Sequence, residues 1–367
     1  MASAPSSTQT PKFQRAVTQD VKGRPQIADH VAVPPLQHGS ILVKTVAVAL
    51  NPSDYKMGAA FPTNNAIIGF DFAGIVACVG EGADAHFTPG DRVCGAVHGS
   101  NPAEPGNGAF AEYVRVPADL LLRIPDWLDW AKAATLGTGL ATSLLAFWGP
   151  GALRLSATPD NPAEDLFPVL VYGGSTATGT LAIQLLKLSG FNPIATCSPH
   201  NFDLVRSYGA SAVFNYAAAD TAAAIRTHTG ARLKYVLDCI ADETSVACCY
   251  GAIQRAGGFY TALELVPEGT LRKRRAIKAS FIMAPEVFGK EVKLSGGYER
   301  PASEEKHRVV VRMFAVVQRL LDEGKLRTHP VQMVGPGLEG ILEGLELLRS
   351  GAVSGKKLVA LVGRDVP

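Results

Sequence analysis

Apolar residues recur along this chain with two different rhythms, and the change of rhythm divides it. Between about 12 and 145 they come in short runs. Examples are Ser40-Ile41-Leu42-Val43-Lys44-Thr45-Val46-Ala47-Val48 and Gly74-Ile75-Val76-Ala77-Cys78-Val79, punctuated by turns such as Gly90-Asp91-Arg92-Val93. Such runs predict short β-strands in a compact barrel-like domain. An Ala- and Leu-rich stretch over 131–147 predicts a helix, and the Pro-, Ala- and Asp-rich stretch over 149–168 predicts a loop. From 168 to about 285, strands alternate with helices. The strands fall near 169–173, 193–197, 212–215, 234–238, 257–262 and 279–284, and this alternation is the doubly wound α/β pattern. An irregular segment runs to about 302. A helix is then expected over 304–321, with Val309, Val310, Met313, Val316, Val317 and Leu320 on its apolar face. A strand is expected over 356–362. This last part lacks the strand-helix rhythm, so it is expected to rejoin the first domain. The predicted division is 1–165 with 291–367, and 166–290, with a cleft between the two as the substrate site.

One turn in the alternating part carries chemistry. The run Pro168-Val169-Leu170-Val171-Tyr172 ends in Gly173-Gly174-Ser175-Thr176-Ala177-Thr178-Gly179, and a helix is predicted over 180–190. Glycines let the backbone approach a ligand, and the helix start offers free N–H groups and a positive dipole end to a pyrophosphate. Gly174 and Gly179 hold the outer positions of a G-x-G-x-x-G pattern, while Thr176 replaces the middle glycine. The second apolar run, after Gly190, supplies the strand that such a unit requires. An NAD site usually ends that strand with an acid that binds the ribose 2′-hydroxyl. Here Cys197-Ser198-Pro199-His200-Asn201 stands instead. No carboxylate would repel a 2′-phosphate, and Ser198, His200 and Asn201 can donate hydrogen bonds to one, so NADPH is favoured over NADH. The same residues also read as a polar turn with Asn201 capping the next helix. The two readings are compatible.

Composition narrows the class. The chain has 367 residues, more than one core usually serves, so two domains are expected. Apolar residues make up 47%, yet no run approaches the ~20 residues of a membrane span. The start, Met1-Ala2-Ser3-Ala4-Pro5-Ser6-Ser7, has neither a basic nor an apolar segment and does not read as a secretory signal. A formal net charge of +2 says little about partners, and neither a nucleic-acid nor a membrane partner is expected. Cysteines at 78, 94, 197, 239, 248 and 249 suit neither a disulfide framework nor a C-x-x-C metal site. A cytoplasmic protein is the expectation.

The motifs together resemble a known superfamily. Asn51-Pro52-Ser53-Asp54, Gly69-Phe70-Asp71-Phe72-Ala73-Gly74, Gly80, Gly90-Asp91-Arg92-Val93, Gly108-Ala109-Phe110-Ala111-Glu112-Tyr113, Ala133-Ala134-Thr135-Leu136-Gly137 and the glycine turn occur in this order. Nearly the whole chain resembles the medium-chain dehydrogenases/reductases. Within them it is similar to the fungal trans-acting enoyl reductases of iterative polyketide synthases, the lovastatin type, most closely from Val171 through Tyr216. The resemblance implies a GroES-like β-barrel catalytic domain and a doubly wound Rossmann nucleotide-binding domain. Zinc members place Cys at the position of Asn51, His at Phe70 and Cys near Thr138, so no metal is expected here. The four-cysteine zinc lobe is also missing. That favours reduction of an activated double bond, with a nicotinamide as hydride source, over alcohol oxidation.

The same resemblance implies the site. Lys56 would act as electrostatic helper or proton donor, the alternative being a solvated lysine paired with Asp54. Tyr55 is a rival donor. Thr142 would pack against the nicotinamide, or else bond its own backbone. Gly137, Gly139 and Leu140 would lie close to substrate. Ser53, Asp54 and Lys56 would touch the cofactor. Gly174, Ser175, Thr176, Ala177 and Thr178 would meet the pyrophosphate; Ser198, Pro199, His200 and Asn201 the 2′-phosphate; and Tyr216 the adenosine. Leu263 and Glu264 would approach the nicotinamide, with Val353 and Ser354 as late cofactor contacts. Met283, Ala284, Pro285, Val287 and Phe288 would line the substrate pocket, or form plain core.

The basic run Arg272-Lys273-Arg274-Arg275 reads as a docking patch for an acidic carrier protein, or as a solvated helix face. Cys248-Cys249 reads as buried packing. Pro285 directly after the last nucleotide-domain strand argues for a monomer. The leading function is an NADPH-dependent enoyl reductase. It would act in trans on a thioester held by the acyl carrier protein of an iterative polyketide synthase or a synthase–peptide synthetase hybrid. Two other functions fit the same residues: a free-standing zinc-independent quinone or alkenal reductase, and a non-catalytic NADPH-binding sensor or scaffold.

Overall fold

A computed structural model describes residues 10–83, 85 and 87–363. Two sheets organise them. Six parallel strands lie in the order Ala212–Asn215, Asn192–Cys197, Pro168–Tyr172, Tyr235–Asp238, Gly258–Ala262, Ile277–Phe281. The chain works outward on one side of Pro168–Tyr172 and then restarts on the other at Tyr235–Asp238. The ends of those two strands are therefore the switch point, where ligands bind in such sheets.

The second sheet has seven strands and draws on both ends of the chain. Ser40–Ala49 is its hub, pairing antiparallel with Asp71–Val79, Tyr113–Pro117 and Lys357–Leu361. Two register shifts within its pairing with Asp71–Val79, at Leu42/Val43 and Thr45/Ala47, are irregularities of the kind that bend a strand. The C-terminal strand Lys357–Leu361 returns to this sheet, with Val359 opposite Ala49, as the loss of rhythm after 285 predicts.

One apolar core joins the sheets. Ala47 and Cys94 from the seven-stranded sheet meet Leu140 and Leu144 of helix Gly137–Trp148, Leu181 and Leu185 of helix Ala177–Leu188, and Val317 and Leu321 of helix Glu304–Asp322. Ser303 caps the last of these by accepting the amide of Lys306.

Boundaries differ from expectation where side chains or packing intervene. The helix expected over 131–147 is two, Trp130–Ala133 and Gly137–Trp148. The second begins where Gly137 presses on the sheet: a Cβ there would stand 2.2 Å from the Gly95 carbonyl oxygen. The helix after the glycine turn begins at Ala177, not 180, because Thr176 caps it. The Thr176 hydroxyl accepts from the Gly179 amide at 2.9 Å and donates to the Gly173 carbonyl at 2.8 Å. The final strand of the six ends at Phe281, so Pro285 lies in the short 3₁₀ turn Ala284–Phe288 and not on the ladder. The argument for a monomer from Pro285 therefore fails. Among the described residues no helix is long and apolar enough to cross a membrane.

Candidate active site

At the switch point the backbone itself shapes the first part of the site. Gly173 adopts φ +84°, a conformation that favours glycine. A Cβ on Gly179 would stand 2.4 Å from the Gly173 carbonyl oxygen, and one on Gly174 would stand 2.7 Å from the Ala195 Cβ. Both glycines thus let strand and helix close on each other. Ala177 and Thr178 occupy the first turn, whose amides have no intrahelical acceptors.

A polar cluster stands beyond the neighbouring strand. Asn201 Nδ2 donates to Ser354 Oγ at 3.0 Å, and His200 Nε2 lies 3.1 Å from the same oxygen. Asn201 holds the cap position of helix Phe202–Ser207, but its side chain does not cap; it is committed to Ser354. Tyr216 is exposed beside this end, while Val353 packs against the core of the seven-stranded sheet. His200, Asn201 and Ser354 are therefore together, without a carboxylate among them.

Deeper in, a cavity of about 260 Å³ opens between the sheets. Ser53, Lys56, Thr142, Thr178, Leu263 and Glu264 line it, and Met283, Ala284 and Pro285 close one side. An ion pair crosses it: Lys56 Nζ stands 3.3 Å from Glu264 Oε2. The Tyr298 hydroxyl donates to Glu264 Oε1 at 2.5 Å. The Tyr298 ring stands edge-on to Phe61 and Phe281, with centroids 5.5 and 5.6 Å away. Burial pushes the Glu264 carboxyl up, but the bonds from Tyr298 and the Leu265 amide and the charge of Lys56 outweigh it and hold it below the usual range. Burial, with that carboxylate beside it, pushes the Tyr298 phenol up to about 12. Glu264 is thus charged and Tyr298 protonated at neutral pH.

Beneath the cavity lies a buried network. Lys357 Nζ pairs with Asp71 Oδ2 at 2.9 Å, both side chains out of solvent. Asn51 donates from Nδ2 to Asp71 Oδ2 at 2.9 Å and accepts from Lys357 through Oδ1. The other oxygen of Asp71 accepts the Thr138 amide at 2.5 Å. One ion pair therefore fixes two residues of the cavity wall. The Thr138 hydroxyl and His98 Nε2, on two residues of the wall, are buried without a hydrogen-bond partner among the described residues, and burial takes the His98 ring down to about 4. At the three zinc-ligand positions the side chains are thus an amide already committed, a phenyl ring and a neutral hydroxyl. That donor set does not fit zinc.

The chain matches the alcohol dehydrogenase GroES-like domain over 37–126 and the zinc-binding dehydrogenase family over 177–295. The trans-enoyl reductase TwmE of Talaromyces wortmannii is 52% identical, covering 97% of this chain and 99% of that protein. The trans-enoyl reductase poxP of Penicillium oxalicum is 45% identical, covering 99% and 97%. The chain belongs to the trans-enoyl reductases, within the medium-chain dehydrogenase/reductase superfamily. Among solved structures, CurK enoyl reductase superposes with a TM-score of 0.72 at 17% identity, covering 96% of this chain and 99% of that one. A quinone oxidoreductase from Coxiella burnetii superposes with a TM-score of 0.68 at 23% identity, covering 96% and 100%. The fold alone serves both chemistries. The family implies a nicotinamide cofactor, and the glycine turn fits its pyrophosphate.

Not every predicted residue of this trans-enoyl reductase reaches the cleft. Tyr55 packs into the core of the seven-stranded sheet instead, because neighbours on a helix point about 100° apart and Lys56 takes the cleft side. Asp54 is buried in the first turn of the same helix, Pro52–Ala60, where Oδ2 accepts the Asn51 amide at 2.6 Å; it is not placed to touch a cofactor and is not the partner of Lys56. Gly137 and Gly139 make close approaches, but to protein: Gly95 and the Leu181 side chain. Leu140 is core, Val287 is buried, and Phe288 lines a neighbouring cavity. The backbone-bonding alternative falls to Ser143, whose hydroxyl donates to the Gly139 carbonyl at 2.8 Å, while Thr142 faces the cavity. Within the basic run, Arg274 donates to the carbonyls of Ile253 and Gln254 just past helix Glu243–Ala252, and Arg272 pairs with Glu268. Tyr298, His98 and Met57 line the cleft unpredicted. For Tyr298 no periodicity marks it, only the adjoining Gly296-Gly297 turn.

Proposed function

We propose that this reductase uses NADPH to saturate the α,β-double bond of a polyketide thioester carried by its synthase. The carrier is the acyl carrier protein of an iterative polyketide synthase or a synthase–peptide synthetase hybrid. The observation that carries the reading is a cation, Lys56, in a mainly apolar cavity whose wall includes Thr138 and lacks a set of metal-ligating side chains. With its pyrophosphate held at the glycine turn, the cofactor would supply the hydride that the β-carbon takes. Charge then builds on the thioester oxygen and is discharged when the α-carbon takes a proton, from Lys56 or from solvent. Lys56 provides positive charge in that cavity, and the Thr138 hydroxyl, without a protein partner, provides a hydrogen bond. Groups held in place before charge develops lower the barrier most. Asp71 and Lys357 act through others: they position Asn51 and Thr138.

The choice of NADPH rests on Ser198, His200, Asn201 and Ser354, a donor cluster with no acid to repel a 2′-phosphate. We take 166–290 as the cofactor-carrying unit and 1–165 with 291–367 as the catalytic one. All six cysteines are free thiols, which suits a reducing cytosol. A monomer is the proposed state, now on other grounds: the edge strand Ile277–Phe281 exposes Lys278, and edge lysines oppose strand pairing between chains.

The test is oxidation of NADPH or NADH with a crotonyl pantetheine thioester, beside a simple quinone. Oxidation of NADPH with the thioester, and little with NADH, is expected. Turnover of the quinone alone would replace this reading with quinone reduction.

A further inference from the structure

A second cavity, of about 500 Å³, adjoins the first, and the two share His98 and Pro285 in their walls. Their linings differ in kind. The first is bounded by Met57, Phe61, Phe70, Ile282 and Leu294. The second is bounded by Gln37, Asn101, Glu104, Arg115, Asp119 and Lys290. Charge in the second is nearly all answered. Glu104 pairs with Arg115. Asp119 Oδ2 lies 3.0 Å from His307 Nε2, and Glu291 lies 3.6 Å from Lys293. Lys290 is exposed and forms no ion pair among the described residues. Gln37 is exposed and lines the same cavity, as does Asn101, whose Oδ1 accepts the Ala103 amide.

We propose that this second cavity receives the phosphopantetheine arm of the substrate, with Lys290 meeting its phosphate. The acyl chain then fills the apolar cavity, and the thioester lies at the junction beside His98. The assignment rests on the proposed function for its substrate class. It follows from matching chemistry. The arm is a chain of amides and a hydroxyl ending in a phosphate, and amide side chains and one unanswered cation suit it. An acyl chain would leave those polar groups without partners, a cost that steers it to the apolar side. His98 stands in the wall where the two cavities meet.

The arm is common to carrier proteins and coenzyme A, so the test separates them. Butyryl thioesters, already saturated, are titrated calorimetrically into enzyme with NADPH. The thioesters are those of N-acetylcysteamine, 4′-phosphopantetheine and coenzyme A. The phosphopantetheine thioester is expected to bind on the order of tenfold more tightly than that of N-acetylcysteamine, as one charge-assisted contact supplies. Lys290→Ala should erase most of that gap, and Gln37→Ala part of it. Weaker binding of the coenzyme A thioester supports a carrier-borne arm; equal binding supports the same cavity with coenzyme A as a source. Equal affinities for the N-acetylcysteamine and phosphopantetheine thioesters, or a gap untouched by Lys290→Ala, overturn the proposal. Because nothing is turned over, the result is independent of whether the enzyme reduces a crotonyl thioester, which tests the function itself.

Discussion

At the pyrophosphate end, the cleft is shaped by eleven or so consecutive residues: a strand, Gly173 at positive φ, a Thr176 cap and a helix start. At the other end it is shaped by side chains far apart in sequence. Lys357 and Asp71 pair across 286 positions to hold Asn51 and the Thr138 amide. The first end keeps its form through local backbone geometry. The second depends on the whole seven-stranded sheet, because Lys357 arrives on its C-terminal strand. A local turn fails locally. A buried ion pair that has lost one member leaves a charge that water cannot reach.

The sharpest way to break the contrast is Lys357→Met. It strands Asp71 without a counter-charge and is expected to cost about 3–5 kcal/mol of stability by denaturant unfolding. Adding Asp71→Asn should recover much of the loss. A Lys357→Met variant as stable as the parent would show that the pair holds nothing. Next in size is Gly179→Ala. Its Cβ would stand within 2.4 Å of the Gly173 carbonyl oxygen, and overpacking of this kind costs about 1–3 kcal/mol. Loss of NADPH affinity in a fluorescence titration should exceed the loss of stability at this end; the reverse order would mean that the turn is only scaffold.

Lys56→Ala probes the shared middle. Turnover, as kcat/KM for a crotonyl thioester, is expected to fall about tenfold, equivalent to about 1.4 kcal/mol, with NADPH affinity nearly unchanged. Unchanged turnover would remove Lys56 from the mechanism and leave it as the tether of Glu264. The last effect is one of pH rather than of a single condition, and it belongs to Asp54. Burial pushes its carboxyl from an ordinary 3.8 up to about 8, with Asp71 adding to the rise. The folded state then keeps a proton that the unfolded state releases. The stability this gives is full below about pH 4 and is lost as pH rises to about 8. Asp54→Asn keeps an acceptor for the Asn51 amide and has no proton to lose. Its Tm should therefore fall less than the parent's between about pH 5 and pH 9. Parallel curves would place the titration elsewhere.

The contrast also explains what was legible in the sequence. The turn over 173–179 and the helix face Val310, Met313, Val317 and Leu320 are local patterns, and a period or a spacing reveals them. Lys357 reads as one of two lysines opening a terminal strand, and nothing nearby marks it as buried. Tyr298 sits in an aperiodic segment and reaches the cleft only because Phe61 and Phe281 flank it. Gly137 and Gly139 show the limit of a correct inference: the close approach is real, but sequence does not say whether ligand or protein is approached. Adjacent Tyr55 and Lys56 were both candidates, and only helix geometry separates them.

The central claim is that this cleft delivers hydride from NADPH to an enoyl thioester. The direct measurement uses NADPH deuterated at its transferable position with a crotonyl pantetheine thioester, and locates the label in the product by mass spectrometry. One deuterium on the β-carbon is the predicted result. A saturated product without deuterium, or label passing only to a quinone offered in its place, would contradict it.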